Sequence, residues 1–177
     1  MLEKTSKNTA IKILISWILV IIWASVIFYL SSKSAPESTV QSQTIINSFA
    51  EILGTVIEDE EMMTSIDGIV RESAHGIEYF ILGMLVFNAL FTTLNYRKQE
   101  ELLLTAETGV ECTDKFRAIN CMIYACIVCS IYALSDEIHQ IPIPGRTFEL
   151  LDLAIDFTGI VLGIIAISVL YKIRNKK

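Results

Sequence analysis

Two histidines, five carboxylates and one arginine are the side chains of this sequence whose types and spacing could do chemistry together. His75 and Glu78 stand three apart, as do Asp136 and His139, and Glu137 and Gln140, while Asp152 and Asp156 stand four apart. Spacings of three and four put each pair on one side of a helix. Imidazoles and carboxylates together could hold zinc, manganese or a similar divalent ion through mixed nitrogen and oxygen ligands. Without a metal, closely placed carboxylates keep a proton between them and set an acid beside a base. The guanidinium of Arg146 suits a substrate phosphate or carboxylate, met by two parallel hydrogen bonds. On this reading Glu78, Asp136 and Glu137 are the acid–base groups. His75, His139, Asp152 and Asp156 are ligands for a divalent metal ion, or proton shuttles and orienting groups. Arg146, Gln140 and Tyr79 contact the substrate. Each pair also has an ordinary role, because carboxylates at the start of a helix favour the positive end of its dipole. Co-location is what argues for a site.

The elements that carry these residues are long and apolar. Of 177 residues, 53% are hydrophobic, and the mean hydropathy is +0.53, too apolar for a soluble domain. Four spans are expected, at about 12–30, 74–94, 118–140 and 150–171, in a single domain covering 1–177. With no strand pattern, the expected fold is an all-α membrane protein, a bundle of four transmembrane helices whose backbones satisfy their own hydrogen bonds. The first stretch follows Lys4, Lys7 and Lys12, as in a secretory signal, but it exceeds the usual h-region of about 7–15 residues and holds Trp17 and Trp23, so a retained anchor is expected.

A helix crosses the hydrocarbon core in about 20 residues. Counting that far from Asn95, Arg117 and Lys172 reaches His75, Glu137 and Asp152, so the polar groups share one level. Gly159 and Gly163 continue the stripe of Asp152 and Asp156, and such a pair lets helices approach closely, which turns the acidic face inward. Pro142 and Pro144 stop the third helix, Gly145 allows a tight turn, and Arg146 is thrown back over the mouth.

Orientation follows from charge. With both termini cytoplasmic, Lys4, Lys7, Lys12, Arg97, Lys98, Lys115, Arg117, Lys172, Arg174, Lys176 and Lys177 lie inside, and of the 14 lysines and arginines only Lys33, Arg71 and Arg146 lie outside. The positive-inside rule therefore puts the polar level at the outer face of the cell (plasma) membrane. The net charge of −6 does not oppose this, since acidic residues weigh little in the rule. The basic residues mark topology, and no nucleic-acid partner is expected. None of Cys112, Cys121, Cys126 and Cys129 faces outside, and the C-x-x-C reads as packing residues. Outer residues 38–70 carry helical apolar spacing, interrupted by the acidic run 58–61, and suit an amphipathic helix over the site or over the bundle's end. Inner residues 95–115 read as a polar connector, with a helical turn around 100–106.

The segments Ser73-Ala-His75-Gly-Ile-Glu78-Tyr79, Ser135-Asp136-Glu137-Ile-His139-Gln140, Pro144-Gly145-Arg146 and Asp152 to Asp156 with Gly159 resemble the VanZ-like family, as does the end of the first helix, 28–32. The Ser-Asp-Glu-x-His-Gln element followed by Pro-Gly-Arg is the specific part. The pattern departs at Ile141-Pro142-Ile143, where the family usually has a Phe-Val or similar pair. The resemblance implies a small bacterial membrane protein linked to resistance to teicoplanin-type glycopeptides, and supplies a phenotype more readily than a mechanism.

Two functions suit these features best. One is an enzyme of the envelope face acting on membrane lipid or a lipid-linked cell-wall precursor, with Glu137 or Glu78 as general base. The other is a non-catalytic protein that shields the membrane, the cluster holding a head group or a structural ion. A proton-coupled transporter is weaker, since no polar path through the inner halves is visible. A serine hydrolase through Ser73 or Ser135 rests on residues ordinary at a helix end. A homo-oligomer is compatible with either leading function.

Overall fold

The computed structural model describes residues 2–55, 57, 59–104 and 114–174, with side chains over 7–55, 57, 59–96 and 117–174. Five helices and no strand occur among the described residues: α1 Leu2–Ser31, α2 Ala35–Ile52, α3 Glu60–Leu104, α4 Asp114–Gln140 and α5 Leu150–Arg174. Four are long and apolar enough to cross a membrane, over Lys7–Ser31, Glu60–Tyr96, Arg117–Gln140 and Leu150–Arg174. Their outward faces carry large apolar side chains, such as Ile21 and Ile22 on α1, Ile127 and Ile131 on α4, and Leu162 and Val169 on α5. A coat of this kind suits lipid tails. The chain is an all-helical multi-pass membrane protein.

The helix α3 is the axis of the fold and touches each of the other four. Its tightest seam is with α5, and glycine makes that seam. A Cβ on Gly159 would run into the Gly76 carbonyl oxygen, and one on Gly163 into that of Phe80. From the other side, a Cβ on Gly83 would stand 2.7 Å from the Ile160 carbonyl oxygen. Backbone thus lies on backbone, as expected of Gly159 and Gly163. Behind the seam, Tyr79, Phe87, Cys121, Cys129 and Ile160 form the core. Cys121, Cys126 and Cys129 are free thiols, and Cys112 lies outside the described residues.

The outer segment differs from expectation in one respect. Helix α2 ends at Ile52, and the apolar patch Met62 to Val70 is the first part of α3, not a separate piece. Asp59, Glu60 and Glu61 of the acidic run stand at the start of that helix, and residue 58 lies outside the described residues. The Asp59 carboxylate accepts the Glu61 backbone N–H at 3.0 Å, and Glu60 and Glu61 occupy the first turn, where negative charge favours the dipole. No proline follows, so α3 runs unbroken to Leu104. The helical turn expected around 100–106 is this helix's end as far as Leu104; residues 105–113 lie outside the described residues.

Helix α2 caps the outer end against α3. The Ser34 N–H and hydroxyl both donate to the Glu37 carboxylate, at 3.0 and 2.9 Å, and these bonds hold its pKa below the usual value. Ser42 donates to the buried Asp67 carboxylate, fastening α2 to α3. The α4–α5 loop is fastened as well: the Ala35 N–H donates to the Pro144 carbonyl at 3.3 Å, and Gly145 turns at φ 78° against the Ala35 side chain.

Candidate functional site

Five elements bring polar groups to this one end. Asp136 is the centre, 3% exposed, and its Oδ2 accepts the Ser31 hydroxyl of α1 at 2.6 Å and the Tyr79 hydroxyl of α3 at 3.3 Å. Glu137 and Asp156 are each 1% exposed. Asp156 lies within electrostatic reach of Glu137, Asp136, Asp152 and Glu78, and Glu137 within reach of Asp152, Asp136 and Arg146. His75 and Glu78 feel both Asp136 and Arg146. The loop therefore returns Arg146 over the mouth. Burial and the neighbouring Arg71 guanidinium lower its pKa, while Asp152, Glu137 and Asp136 oppose that shift.

The cluster is under-satisfied. Among the described residues, the buried side-chain atoms without a hydrogen-bond partner are Arg71 Nε, His75 Nδ1, Asp136 Oδ1, both Glu137 oxygens, Gln140 Nε2, Arg146 Nε, Asp156 Oδ1 and, elsewhere on α4, Ser130 Oγ. Native proteins leave few such groups, and each costs about 1–3 kcal/mol or more if charged. A concentration of them marks a place where structure is held for another purpose.

Not every expected member joins. His139 turns toward α1, its ring stacked on Phe28 at 4.4 Å and its Nε2 3.3 Å from the Ser32 hydroxyl. Glu137 and His139 are two residues apart, about 160° around a helix of 3.6 residues per turn, so one cannot follow the other inward. No three His, Cys, Asp or Glu side chains among the described residues are grouped so as to hold a metal ion. The arrangement does not fit the metal set of His75, His139, Asp152 and Asp156. Tyr79 and Gln140, expected at the substrate, are buried at 0% and 1% exposure, with Tyr79 bound to Asp136.

Ser31, within the 28–32 segment that carries part of the resemblance, is 2% exposed and binds Asp136. Arg71 is a participant that the sequence does not single out, since hydropathy puts it before the second span. Because α3 starts at Glu60, Arg71, His75 and Glu78 follow one another at four and three residues on one face, a signal visible once the helix is extended backwards. The other end of the bundle is also not wholly apolar. Asn88 donates to Ser16 at 3.3 Å and accepts Tyr171 at 2.5 Å, joining α1, α3 and α5. Val86, Phe87, Ile160 and Ile164 fill the core of the same bundle.

A protein-family model described as VanZ/LLP1 matches the chain over residues 16–171. No curated protein and no solved structure matches it.

Proposed function

From the premise that the chain belongs to the VanZ/LLP1 family, whose model spans most of its length, we propose that it is a bacterial cell-membrane protein protecting its host from teicoplanin-type (lipo)glycopeptides. Its polar cluster lies at the outer interface and performs acid–base chemistry on a lipid-linked envelope substrate. Glu137 or Glu78 takes the proton, Asp136 is held by Ser31 and Tyr79, and Arg146 receives an anionic group at the mouth. The observation that carries this reading is the gathering of unpartnered buried polar atoms at one end of the bundle. A packing role alone would favour satisfied groups or apolar ones.

Two measurements test it. Expression in a teicoplanin-susceptible bacterium should raise the inhibitory concentration above that of the empty vector. Abundant membrane-inserted protein with no rise would end the resistance reading. Orientation is checked in a cysteine-free background. Ser38→Cys should react with an impermeant maleimide in intact cells, and Thr105→Cys only after permeabilisation. The reverse pattern would put the cluster on the cytoplasmic side and remove envelope substrates from reach.

A further inference from the structure

Two clefts adjoin beneath α2. The polar one, about 210 Å³, is walled by Ser38 and Gln41 of α2, Arg71, His75 and Glu78 of α3, and Arg146 of the loop. The apolar one, about 500 Å³, follows the seam of α2 and α3, with Ile45, Phe49 and Leu53 on one side and Ile66, Ile69 and Ile77 on the other. Ile45, Val70 and Ala74 line both, so the two spaces meet across them. Phe49, Leu53 and Ile69 are 63%, 74% and 63% exposed, so the apolar seam is open at its side.

The polar cleft is walled by two guanidiniums, Arg71 and Arg146, against one carboxylate, Glu78. Each guanidinium buries an Nε that has no hydrogen-bond partner. They are near enough for Arg71 to weaken the charged form of Arg146. Asp152 of α5 lies within electrostatic reach of both guanidiniums and offsets part of their repulsion; an anion in the cleft would offset the rest, and their planar forks match phosphate oxygens. An apolar trough leading from that point asks for a hydrocarbon chain on the same molecule.

We propose that this double cleft binds a membrane lipid with an anionic phosphate head group, the phosphate between Arg71 and Arg146 and one hydrocarbon chain along the α2–α3 trough. The lipid arrives sideways from the bilayer, under α2. This deepens the reading above by naming the class of amphiphile, and it rests on that reading for the place of the cluster at a membrane face.

Native mass spectrometry of the full-length protein released from detergent tests it, with dioleoyl phosphatidic acid, dioleoyl phosphatidylcholine and inorganic phosphate as probes. Phosphatidic acid should be retained at least tenfold better than phosphatidylcholine. Retention should fall at least tenfold in the Arg71→Gln, Arg146→Gln double variant, checked for an unchanged elution profile. Ile45→Trp, at a half-exposed position bordering both clefts, should lower retention while both arginines remain. Equal retention of the two lipids, unchanged retention in the double variant, or full displacement by equimolar inorganic phosphate would each overturn the proposal. Glu137 does not wall either cleft, and removing its negative charge near Arg146 favours an anion there, so Glu137→Gln should hold the lipid at least as well as the wild type. If Glu137→Gln also keeps wild-type resistance while the arginine variant loses the lipid, the acid–base reading falls and the lipid site stands.

Discussion

Glu137→Gln should abolish protection from teicoplanin while the protein stays in the membrane at its normal amount. The substitution keeps the size and reach of the side chain, removes its charge and turns one acceptor oxygen into an NH2 donor, so that it can no longer take a proton. General acid–base groups contribute about 10²–10⁴-fold to a rate, enough to reduce a resistance level to that of the vector. Neither Glu137 oxygen meets hydrogen-bond geometry, and the one contact the change could weaken is with the backbone N–H of Glu149, which lies near enough to act on the carboxylate. Asp136→Asn is a poorer probe, because Ser31 and Tyr79 both depend on Asp136. Removing one charge from a buried network can itself cost about 3–5 kcal/mol, so membrane abundance and melting temperature must be read together with resistance. Wild-type resistance in an abundant Glu137→Gln protein would leave the cluster a binding or structural role.

The largest effect on folding is expected at the glycine seam. Gly163→Ala and Gly159→Ala each place a methyl group against a carbonyl of α3, with backbone that cannot move aside as a side chain would. Overpacking of this kind costs about 1–3 kcal/mol, occasionally more. At this chain length each kcal/mol is worth roughly 2–4 °C in Tm. Gly68→Ala is the matched control: nothing lies within 4 Å of its Cβ, and alanine in a helix gains about 0.5–1 kcal/mol over glycine. Thermal unfolding in detergent, followed by tryptophan fluorescence, should show Tm lowered in the first two variants and level or raised in the third. Three equal curves would mean that α3 and α5 do not meet as described.

Much of this was legible in the sequence because hydrocarbon thickness is a ruler. Length and hydropathy located four spans, and counting along them brought His75, Glu137 and Asp152 to one level. Level is not direction. His139 shares that level but leaves the helix on the side of Phe28, and only its angle relative to Glu137 could have separated them. The charged stretch around Arg71 and Glu72 resembled a solvated loop, since charge lowers hydropathy whether or not the helix continues. The helix does continue, and so Arg71 was missed. Ser31 lies in the 28–32 segment that resembles the family, but its partner is visible only in the fold, where a neighbouring helix brings the Asp136 carboxylate to it.

The three prolines stand at 36, 142 and 144, in the first turn of α2 and in the α4–α5 loop, and none lies within a spanning helix. Prolines are the usual places where a membrane helix bends. The spans therefore carry no proline hinge, and the glycine seam holds α3 against α5 backbone to backbone. Helix α2 is fastened to α3 by the Ser42–Asp67 bond and, at its first residue, to the α4–α5 loop by the Ala35–Pro144 hydrogen bond. Any widening of the double cleft would have to part α2 from α3, and the Ser42–Asp67 bond is the tie between them that such a motion would break.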